Sequence, residues 1–489
     1  MDVHVQHIQG RSDYQSQRTI QLSPLLQITD SKTPSEPNEG GHNSLRTRPL
    51  PEKRWSIFRV AAHVREIDER AYKPRTVSIG PFHYRESGLE AMEAQKQRFL
   101  DRMLEQISGQ GMNQESLVDA MKELEGKTRE CYSEEFKDIQ SDDFVRMVVV
   151  DGCFIVELLR LSDKYFKNEL ADDPIFATCA MPINLGRDLL MLENQLPLFV
   201  LQKLYNLTRP GGEGITSHDK LRRNQEAITS VNKLALKFFE PLRLGKDVIA
   251  TENCDVASEY PHLLALFHSS FAPTTPHPPP TATTTTRNEK LTMYRTFVGK
   301  GWVHSAKSLA NTGVRFRAKS GTGNVLDIEF KKEVLEFRTL FIDDSTTSVL
   351  RNLLVYEQYN RCALSYFSSL AVLLNNIVDK PDDVAMLKRY GIIWGQCGDE
   401  ELVNFIKSLT KELMFDMVDF QFGELIQGLR KHTRSKGARL MFFIQSLPLL
   451  KIITSILLAY ISVFQTLLLR NIPGTSPAPA PTSAPAPTP

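Results

Sequence analysis

The sequence predicts a mainly helical, α+β protein with a helical core, a small antiparallel β meander and one C-terminal transmembrane helix. Apolar residues recur at three- and four-residue steps across much of residues 55–271 and again over 347–429, which is the period of an amphipathic helix. Between residues 314 and 342 the period falls to two, which is typical of strands. Residues 452–469 carry no charge and are long enough for a membrane span.

Composition and charge narrow the classes of function. The chain has 489 residues, of which 41% are hydrophobic and 24% are charged, a globular rather than a disordered composition. Its 59 Lys and Arg residues nearly balance 58 Asp and Glu residues, and the formal net charge is +1. Because nucleic-acid binders usually show a basic excess or a basic face, no nucleic-acid partner is predicted.

The six cysteines show no CxxC spacing, which gives no support to a zinc site or a thioredoxin-like site. Several lie in apolar runs, such as Cys153 within Asp151–Val156, so we expect buried, reduced thiols of a cytosolic protein. The N-terminal residues Met1–Gln21 are polar and lack the apolar segment of a secretory signal. The sequence therefore predicts no export by that route.

Shifts in composition divide the chain into six segments. Ser, Gln, Pro, Asn and Gly dominate the first segment, which has no apolar period and is predicted to be disordered. A later stretch rich in Pro and Thr cannot pack a core and is predicted to be a surface linker, with one domain formed by the regions on its two sides. The segments are a disordered N-terminal arm (1–50), a helical region (51–271), the Pro/Thr-rich linker (272–290), the β meander with further helices (291–440), the transmembrane helix (452–469) and a Pro/Ala-rich tail (471–489).

Three apolar patterns predict helices in the first half of the chain. The first runs from Trp55 to Ile67, and the second is Leu89–Ile107, in which Glu93 and Lys96 fall on neighbouring surface positions. The third, Phe144–Leu159, is apolar almost all round and contains charged residues that argue against a membrane span. It is therefore predicted to be the central helix of a soluble core.

A fourth apolar pattern, Leu189–Leu204, is interrupted by the polar triplet Glu193–Gln195. Pro197 follows closely, so a helix is predicted to restart with Asn194 as its N-terminal cap and the proline in its first turn. The triplet is predicted to satisfy backbone groups between two buried segments. A ligand or partner site is the alternative.

Three short strands are predicted beyond the linker, at Val314–Arg317, Val325–Phe330 and Val334–Ile342. The turn Gly321–Gly323 and the pair Lys331–Lys332 separate them. Strands that follow one another so closely predict an antiparallel meander.

The predicted transmembrane helix is Ile452–Leu469, which is 18 residues long and bounded by Lys451 and Arg470. At 1.5 Å per residue such a helix spans roughly 27 Å, close to the hydrocarbon thickness of a bilayer. A buried core helix is the alternative. Small residues recur on one helical face of the span, a spacing that permits weak self-association and is equally compatible with a monomeric anchor. These small residues are Ser455, Ala459, Ser462 and Thr466.

The flanks of this segment predict its orientation. Six basic residues precede the span, whereas Arg470 alone follows it closely, so the body of the protein is predicted to be cytoplasmic in a tail-anchored topology. The same cluster is expected to attract anionic lipid headgroups. A polar tail after the span argues against a GPI signal. The six basic residues are Arg430, Lys431, Arg434, Lys436, Arg439 and Lys451.

No complete catalytic or cofactor motif is present, and neither catalytic, cofactor-binding nor metal-ligating residues are predicted. Asp343 and Asp344 are a candidate carboxylate pair, but a helix cap explains them more simply. His262 and His268 are six residues apart, which does not match a helical metal site, so surface or satisfied core positions are expected. Asn206 begins a glycosylation sequon that is interpreted as a chance match.

Several sequence blocks, in order, resemble the plant domain-of-unknown-function-247 family over about residues 55–469. That resemblance implies a mainly helical fold, a single C-terminal transmembrane segment and plant origin, and it brings no catalytic residues. Some grass members are implicated in pollen–stigma self-incompatibility, so it also implies that a recognition role is within the family's range. The blocks are Lys73–His83, Met92–Lys96, Asp151–Leu158, Asp188–Leu201, Leu326–Asp344 and Arg351–Gln358.

Two departures from the family pattern concern the C-terminal half. Arg338 and Thr339 stand where prolines are usual, and an aromatic block before the span is replaced by Arg430–Arg439 followed by Met441–Pro448. The fold expected from the resemblance is unaffected, whereas a shared binding surface near the membrane is not carried over.

These observations lead to three hypotheses of function. The first is a non-enzymatic, membrane-anchored interaction or recognition protein whose partners are the lipid bilayer and an unidentified protein. The second is an enzyme of unrecognised type that uses Asp343 and Asp344 or the cluster around Glu193. The third is a scaffold on an anionic lipid surface. The plasma membrane and an endomembrane remain equal alternatives for the location.

Overall fold

Helices form most of the secondary structure, as the spacing of apolar side chains predicts. The computed structural model describes residues 55–165, 172–209, 217–245, 255–272, 304–321, 323–360, 363–411, 413, 420–446 and 448–470. All of them belong to one unit of the chain, Lys53–Pro489. The predicted N-terminal arm, the Pro/Ala-rich tail and nearly all of the Pro/Thr-rich linker lie outside the described residues.

Seventeen α-helices occur in the described part of the chain. In chain order they are α1 (Ala62–Arg65), α2 (Glu90–Ile107), α3 (Gln114–Lys122), α4 (Glu125–Glu130), α5 (Ser141–Tyr165), α6 (Ala180–Leu189), α7 (Leu198–Leu207), α8 (Ser217–Phe238), α9 (Leu263–Ser269), α10 (Ala306–Asn311), α11 (Asp344–Tyr359), α12 (Tyr366–Ile377), α13 (Pro381–Arg389), α14 (Asp399–Leu409), α15 (Gly423–Thr433), α16 (Lys436–Ser446) and α17 (Pro448–Arg470).

Helix α5 is the central helix of the core, which confirms the prediction for Phe144–Leu159. It contacts α2, α3, α4, α7 and α8, and Phe154 and Leu158 are fully buried. Gly152 lets α7 approach closely, because a Cβ at that position would lie 2.4 Å from the Cδ1 atom of Leu204. Burial of such side chains is the main favourable term in folding.

Helix α11 packs the second half of the chain onto the first. It contacts α6 and α9 on one side of the linker and α12 and β4 (Leu340–Ile342) on the other. Leu350 and Leu353 are buried in the same apolar core as Phe154. The described residues on the two sides of the linker therefore share one core.

The strands form two small sheets, so the prediction of an antiparallel meander was wrong. In the first sheet, β3 (Val334–Phe337) lies between β1 (Arg315–Ala318) and β2 (Glu329–Lys331). β1 runs parallel to β3, and only β2 and β3 form an antiparallel hairpin. Alternation of side chains predicts a strand but not its partner, because both kinds of pairing have a period of two.

The second sheet pairs β4 with β5 (Ile393–Gly395) in parallel register, and β5 was not predicted. β4 therefore leaves the first sheet, although the sequence pattern ran continuously through Val334–Ile342. A parallel partner must arrive through a crossover, here helices α11 to α13, and short-range patterns carry no signal of it.

The helix predicted for Trp55–Ile67 was also wrong, since only α1 is helical there. The backbone before it is extended, because tertiary partners take its amide groups. Ile57 bonds to the carbonyl of Cys131, and the amide of Ala61 bonds to the hydroxyl of Tyr359 at 3.0 Å. These partners replace the bonds that a helix would have made.

The four cysteines within the described residues are free thiols. Cys153 is buried, as predicted, and burial raises its pKa to about 12, which keeps it protonated. Cys179 is exposed, so the prediction of buried thiols does not hold for every cysteine.

The C-terminal helices follow one another with short breaks, and α17 covers the predicted membrane segment. The structure describes the side chains of residues 453–467 of α17, and all of them are exposed. Within the part of the chain that the structure describes, no helix has the length and apolar character needed to cross a membrane.

Candidate functional site: a buried polar junction

Buried polar side chains from four segments meet beside the α6–α7 turn, and we call this group the polar junction. Each is almost completely excluded from water, so each needs hydrogen-bond partners inside the protein. The polar junction consists of Lys96, Asp151, Asp188, Glu193, Asn194 and Gln195.

Asp188 and Asn194 hold the loop that precedes Gly80. The Oδ2 atom of Asp188 accepts hydrogen bonds from the amides of Arg75, Thr76 and Val77 at 2.9, 2.6 and 3.1 Å. The Asn194 side chain accepts from the amide of Ile79 at 2.6 Å and donates to the carbonyl of Val77 at 3.0 Å. Consecutive peptide groups of this loop are thereby satisfied without regular secondary structure.

Asn194 was predicted to cap α7, and that prediction was wrong. α7 begins at Leu198, and Pro197 lies at the N-cap position rather than in the first turn. The amide of Leu198 instead bonds to the carbonyl of Pro261 at 2.9 Å. The asparagine faces the opposite way, toward the loop that precedes Gly80.

Lys96 was predicted at the surface, but it is buried at 1% exposure. Its ammonium group donates to the carbonyl of Ser78 and to the carboxylates of Glu93 and Asp151, at 2.6, 2.6 and 2.7 Å. Burial lowers the pKa of Lys96, but the two carboxylates outweigh it, so its pKa is raised. Burial raises the pKa of Asp151, against the opposing effect of Lys96.

The backbone of Gly80 packs closely against the polar junction. Its amide donates to the second oxygen of Asp151 at 2.9 Å, and its φ is +72° with ψ −172°, a conformation essentially restricted to glycine. A Cβ here would lie 2.7 Å from the carbonyl oxygen of Gln195. The loop, α5 and the α6–α7 turn therefore meet at one glycine.

Glu193 binds the N-terminal segment of the described chain. It accepts from the amide of Val60 at 2.6 Å and forms ion pairs with Arg65 and, at 3.4 Å, with Arg59. His83 lies 3.4 Å from the same carboxylate. Burial raises the pKa of Glu193, but His83, Arg65 and the Val60 amide outweigh it and hold the pKa below its ordinary value.

Gln195 connects the junction to α9. Its amide donates to the carbonyls of Leu189 and Met191 at 2.6 and 2.8 Å, and its oxygen accepts from the amide of Leu264 at 3.2 Å. Every member of the triplet 193–195 thus satisfies backbone groups, which confirms the structural role predicted for it.

His262 and His268 are both buried, as satisfied core histidines. His262 caps α9, with its Nδ1 atom accepting from the amide of Ala265 at 3.3 Å, and its Nε2 atom lies 2.9 Å from the carbonyl oxygen of Ser56. His268 bonds to Glu357 at 2.8 Å. Among the described residues, no group of three or more His, Cys, Asp or Glu side chains could hold a metal ion.

The candidate carboxylate pair Asp343–Asp344 begins α11. Asp343 accepts from the amides of Ser345 and Thr346 at 2.9 and 2.8 Å and forms a capping box, which confirms the helix cap. Asp344 is exposed on the first turn. The two carboxylates therefore have separate environments.

We predict that replacing Lys96 by Met lowers the free energy of unfolding by about 3–5 kcal/mol, because Asp151 would keep a buried charge without its ion-pair partner. Lys122→Met is the matched control, since Lys122 pairs with Asp142 at the surface at 3.4 Å, and a change within about 0.5 kcal/mol is expected. Urea unfolding of the full chain measures both.

The double variant Lys96→Met, Asp151→Asn should recover part of the loss. Asparagine keeps an oxygen for the Gly80 amide and carries no charge. Equal, small effects for Lys96→Met and Lys122→Met would show that the buried pair does not stabilise the junction.

We predict that His262 makes stability depend on pH between 6.5 and 4. Burial lowers the pKa of His262 from 6.5 to about 4, so the unfolded chain binds this proton at a higher pH than the folded chain. The corresponding stability is complete above pH 6.5 and is lost as pH falls toward 4, a change on the order of 3 kcal/mol.

The variant His262→Asn keeps a side-chain acceptor at the helix cap and removes the titrating group. Its free energy of unfolding, measured from pH 7.5 to 4, should fall less steeply than that of the wild type. Identical slopes would exclude His262 as the source.

Comparisons with known proteins identify the family of this chain. The model of the domain-of-unknown-function-247 family, described as a plant protein of unknown function, matches residues 57–463. The UPF0481 protein At3g47200 of Arabidopsis thaliana is 28% identical over 395 residues, which are 77% of this chain and 77% of its own length. A second UPF0481 protein of that plant, At3g02645, is 23% identical over 444 residues, with 76% and 81% covered. No solved structure matches the chain.

The family match covers α1, the polar junction, both sheets and most of α17, and it is long enough to establish membership. The chain belongs to the plant domain-of-unknown-function-247 family, whose function is unknown.

Proposed function

We propose that this chain is a non-enzymatic interaction or recognition protein that α17 anchors to a membrane, with its body on the cytoplasmic side. The observation that carries the proposal is the exposure of α17. Large apolar side chains between residues 453 and 467 are 43–71% exposed, and they cover the helix surface except for the face of small residues Ser455, Ala459, Ser462 and Thr466. They are Ile453, Ile456, Leu457, Leu458, Tyr460, Ile461, Val463, Phe464 and Leu467.

A helix with such a surface needs an apolar environment. Full burial of an exposed large apolar side chain contributes about 1.5–3 kcal/mol, and these partly exposed side chains would contribute roughly half of that each. Contiguous exposed apolar area of this kind marks an interaction site. The described side chains of α17 cover residues 453–467, a stretch too short to cross a membrane by itself. In the sequence the uncharged stretch continues over residues 452–469, which as a helix would extend over roughly 27 Å, close to the hydrocarbon thickness of a bilayer. A lipid bilayer is the occupant that fits exposed apolar side chains over most of the circumference of one helix.

The non-enzymatic part of the proposal rests on the environment of the candidate carboxylates. Asp343 caps a helix, and Glu193 is engaged by the Val60 amide and by two arginines. Groups held in this way stabilise a fold, whereas a catalytic acid or base must reach a substrate. A recognition role for an unidentified protein partner is the remaining function, and the family resemblance supports it.

The first test of the proposal is extraction of the full chain from microsomes at alkaline pH. The wild type should stay with the membranes, and Leu457→Asp, Ile461→Asp should be extracted, because each charge at the centre of a span costs about 2.5–3.5 kcal/mol. Leu457→Ala, Ile461→Ala is the matched control and should stay with the membranes. Extraction of the wild type would exclude an integral anchor.

The second test maps topology with a glycosylation acceptor fused after Pro489. The excess of basic residues before α17 predicts modification of that acceptor in the lumen and none at Asn206. Asn206 lies in α7, where its amide donates to Asn224 at 2.7 Å. Modification at Asn206 with an unmodified tail would place the body in the lumen or outside the cell, and the cytoplasmic orientation would then be wrong.

A further inference from the structure

Helix α16 has one outward face that combines basic and apolar side chains. Lys436, Arg439, Leu440 and Phe443 follow one another at helical spacings and therefore share this face. Leu440 and Phe443 are 59% and 60% exposed. On the opposite side Ala438 is 4% exposed and α16 contacts α10, whereas the neighbouring Met441 and Phe442 are 45% and 42% exposed.

Four cations near this face form no ion pair with an acidic side chain among the described residues. Lys431, Arg434, Lys436 and Arg439 are exposed, and no ion pair involves their side chains among the described residues. Glu424 is the last acidic residue in the sequence, so the basic residues after it have no acidic neighbour along the chain. An ordinary solvated helix face carries both signs of charge.

We propose that these four cations, together with Leu440 and Phe443, bind an anionic phospholipid surface. The cations meet the headgroups, and the two apolar side chains enter the boundary of the acyl chains, as in interfacial helices. The surface is continuous with α17, which α16 contacts. This inference rests on the proposed membrane association and names the lipid class that the protein selects.

Charge favours a lipid surface over a second copy of this chain. A symmetric dimer through this face would place Lys436 and Arg439 of one copy against those of the other, and like charges at short distance repel. An anionic surface instead supplies the opposite sign across the whole patch.

The experiment uses the full chain with Leu457→Asp, Ile461→Asp, because an inserted α17 would bind irreversibly and mask weaker contacts. Binding is measured by sedimentation with neutral phosphatidylcholine vesicles and with vesicles that contain about 30% phosphatidylserine. We expect binding to the anionic vesicles to be tighter by roughly 600-fold, at roughly fivefold for each of the four basic side chains, and to weaken as salt is added.

Replacing the four cations by Gln should abolish the preference for anionic vesicles. A control with the same loss of charge at four other exposed basic residues should keep it. Leu440→Ser, Phe443→Ser should weaken binding to both kinds of vesicle. The four substituted cations are Lys431, Arg434, Lys436 and Arg439, and the control residues are Lys203, Lys233, Arg389 and Lys411.

Three outcomes would overturn the inference. One is equal binding to neutral and anionic vesicles, and another is a preference that the control variant also loses. The third is self-association in detergent that Leu440→Ser, Phe443→Ser abolishes without any effect on lipid binding, which would assign the face to a second copy. If alkaline pH extracts the wild type from microsomes, the integral anchor is excluded. The vesicle measurement would still decide whether the protein selects anionic lipid.

Discussion

The fold depends on the hydrogen bonds that the polar junction gives to one irregular loop. Residues 77–80 of this loop are buried between helices, so their peptide groups need partners inside the protein. Asp188, Asn194 and Asp151 supply them, with Lys96 balancing the charge of Asp151. Removing any one of these partners would leave a buried polar group unpaired, which costs more than a surface contact. This requirement fixes how α2, α5 and the α6–α7 turn meet.

The same kind of interaction joins the two halves of the chain. Asn352 of α11 accepts from the amide of Leu192 at 2.9 Å and donates to the carbonyl of Ala71 at 2.8 Å. Glu357, one turn further on, accepts from His268 and from the amides of Phe367 and Ser368, which begin α12. Apolar packing brings these elements together, and the polar contacts select one arrangement, because alternative packings would leave these groups unpaired.

The sequence predicts the helices well, because the apolar period of α2 and α5 follows from the side of the helix that faces the core. The sequence does not predict that Lys96 is buried. Glu93 and Lys96 are three residues apart, a spacing that pairs an acidic and a basic side chain equally well on a solvated helix face and in a core. The extended segment before α1 is missed for a related reason: its partners, Cys131 and Tyr359, are distant in sequence. The role of Glu193–Gln195 was predictable because a polar triplet between two buried apolar runs needs hydrogen-bond partners inside the protein. No local signal in the sequence indicated that Gly80, Asp151 and Lys96 would meet.

The family resemblance therefore transfers a fold more directly than an activity. Two of the sequence blocks that carry it, Lys73–His83 and Asp188–Leu201, contain the loop and the turn that the polar junction joins. Their polar atoms bind backbone groups of this chain, so a resemblance in these blocks reports on folding. The described side chains that are exposed to a partner lie elsewhere, above all on α16 and α17. There exposed apolar side chains lie beside exposed cations, and the sequence after Glu424 contains no acidic residue. Members of one such fold can differ in what they bind, because the side chains that specify the fold and those that face a partner occupy separate parts of the molecule.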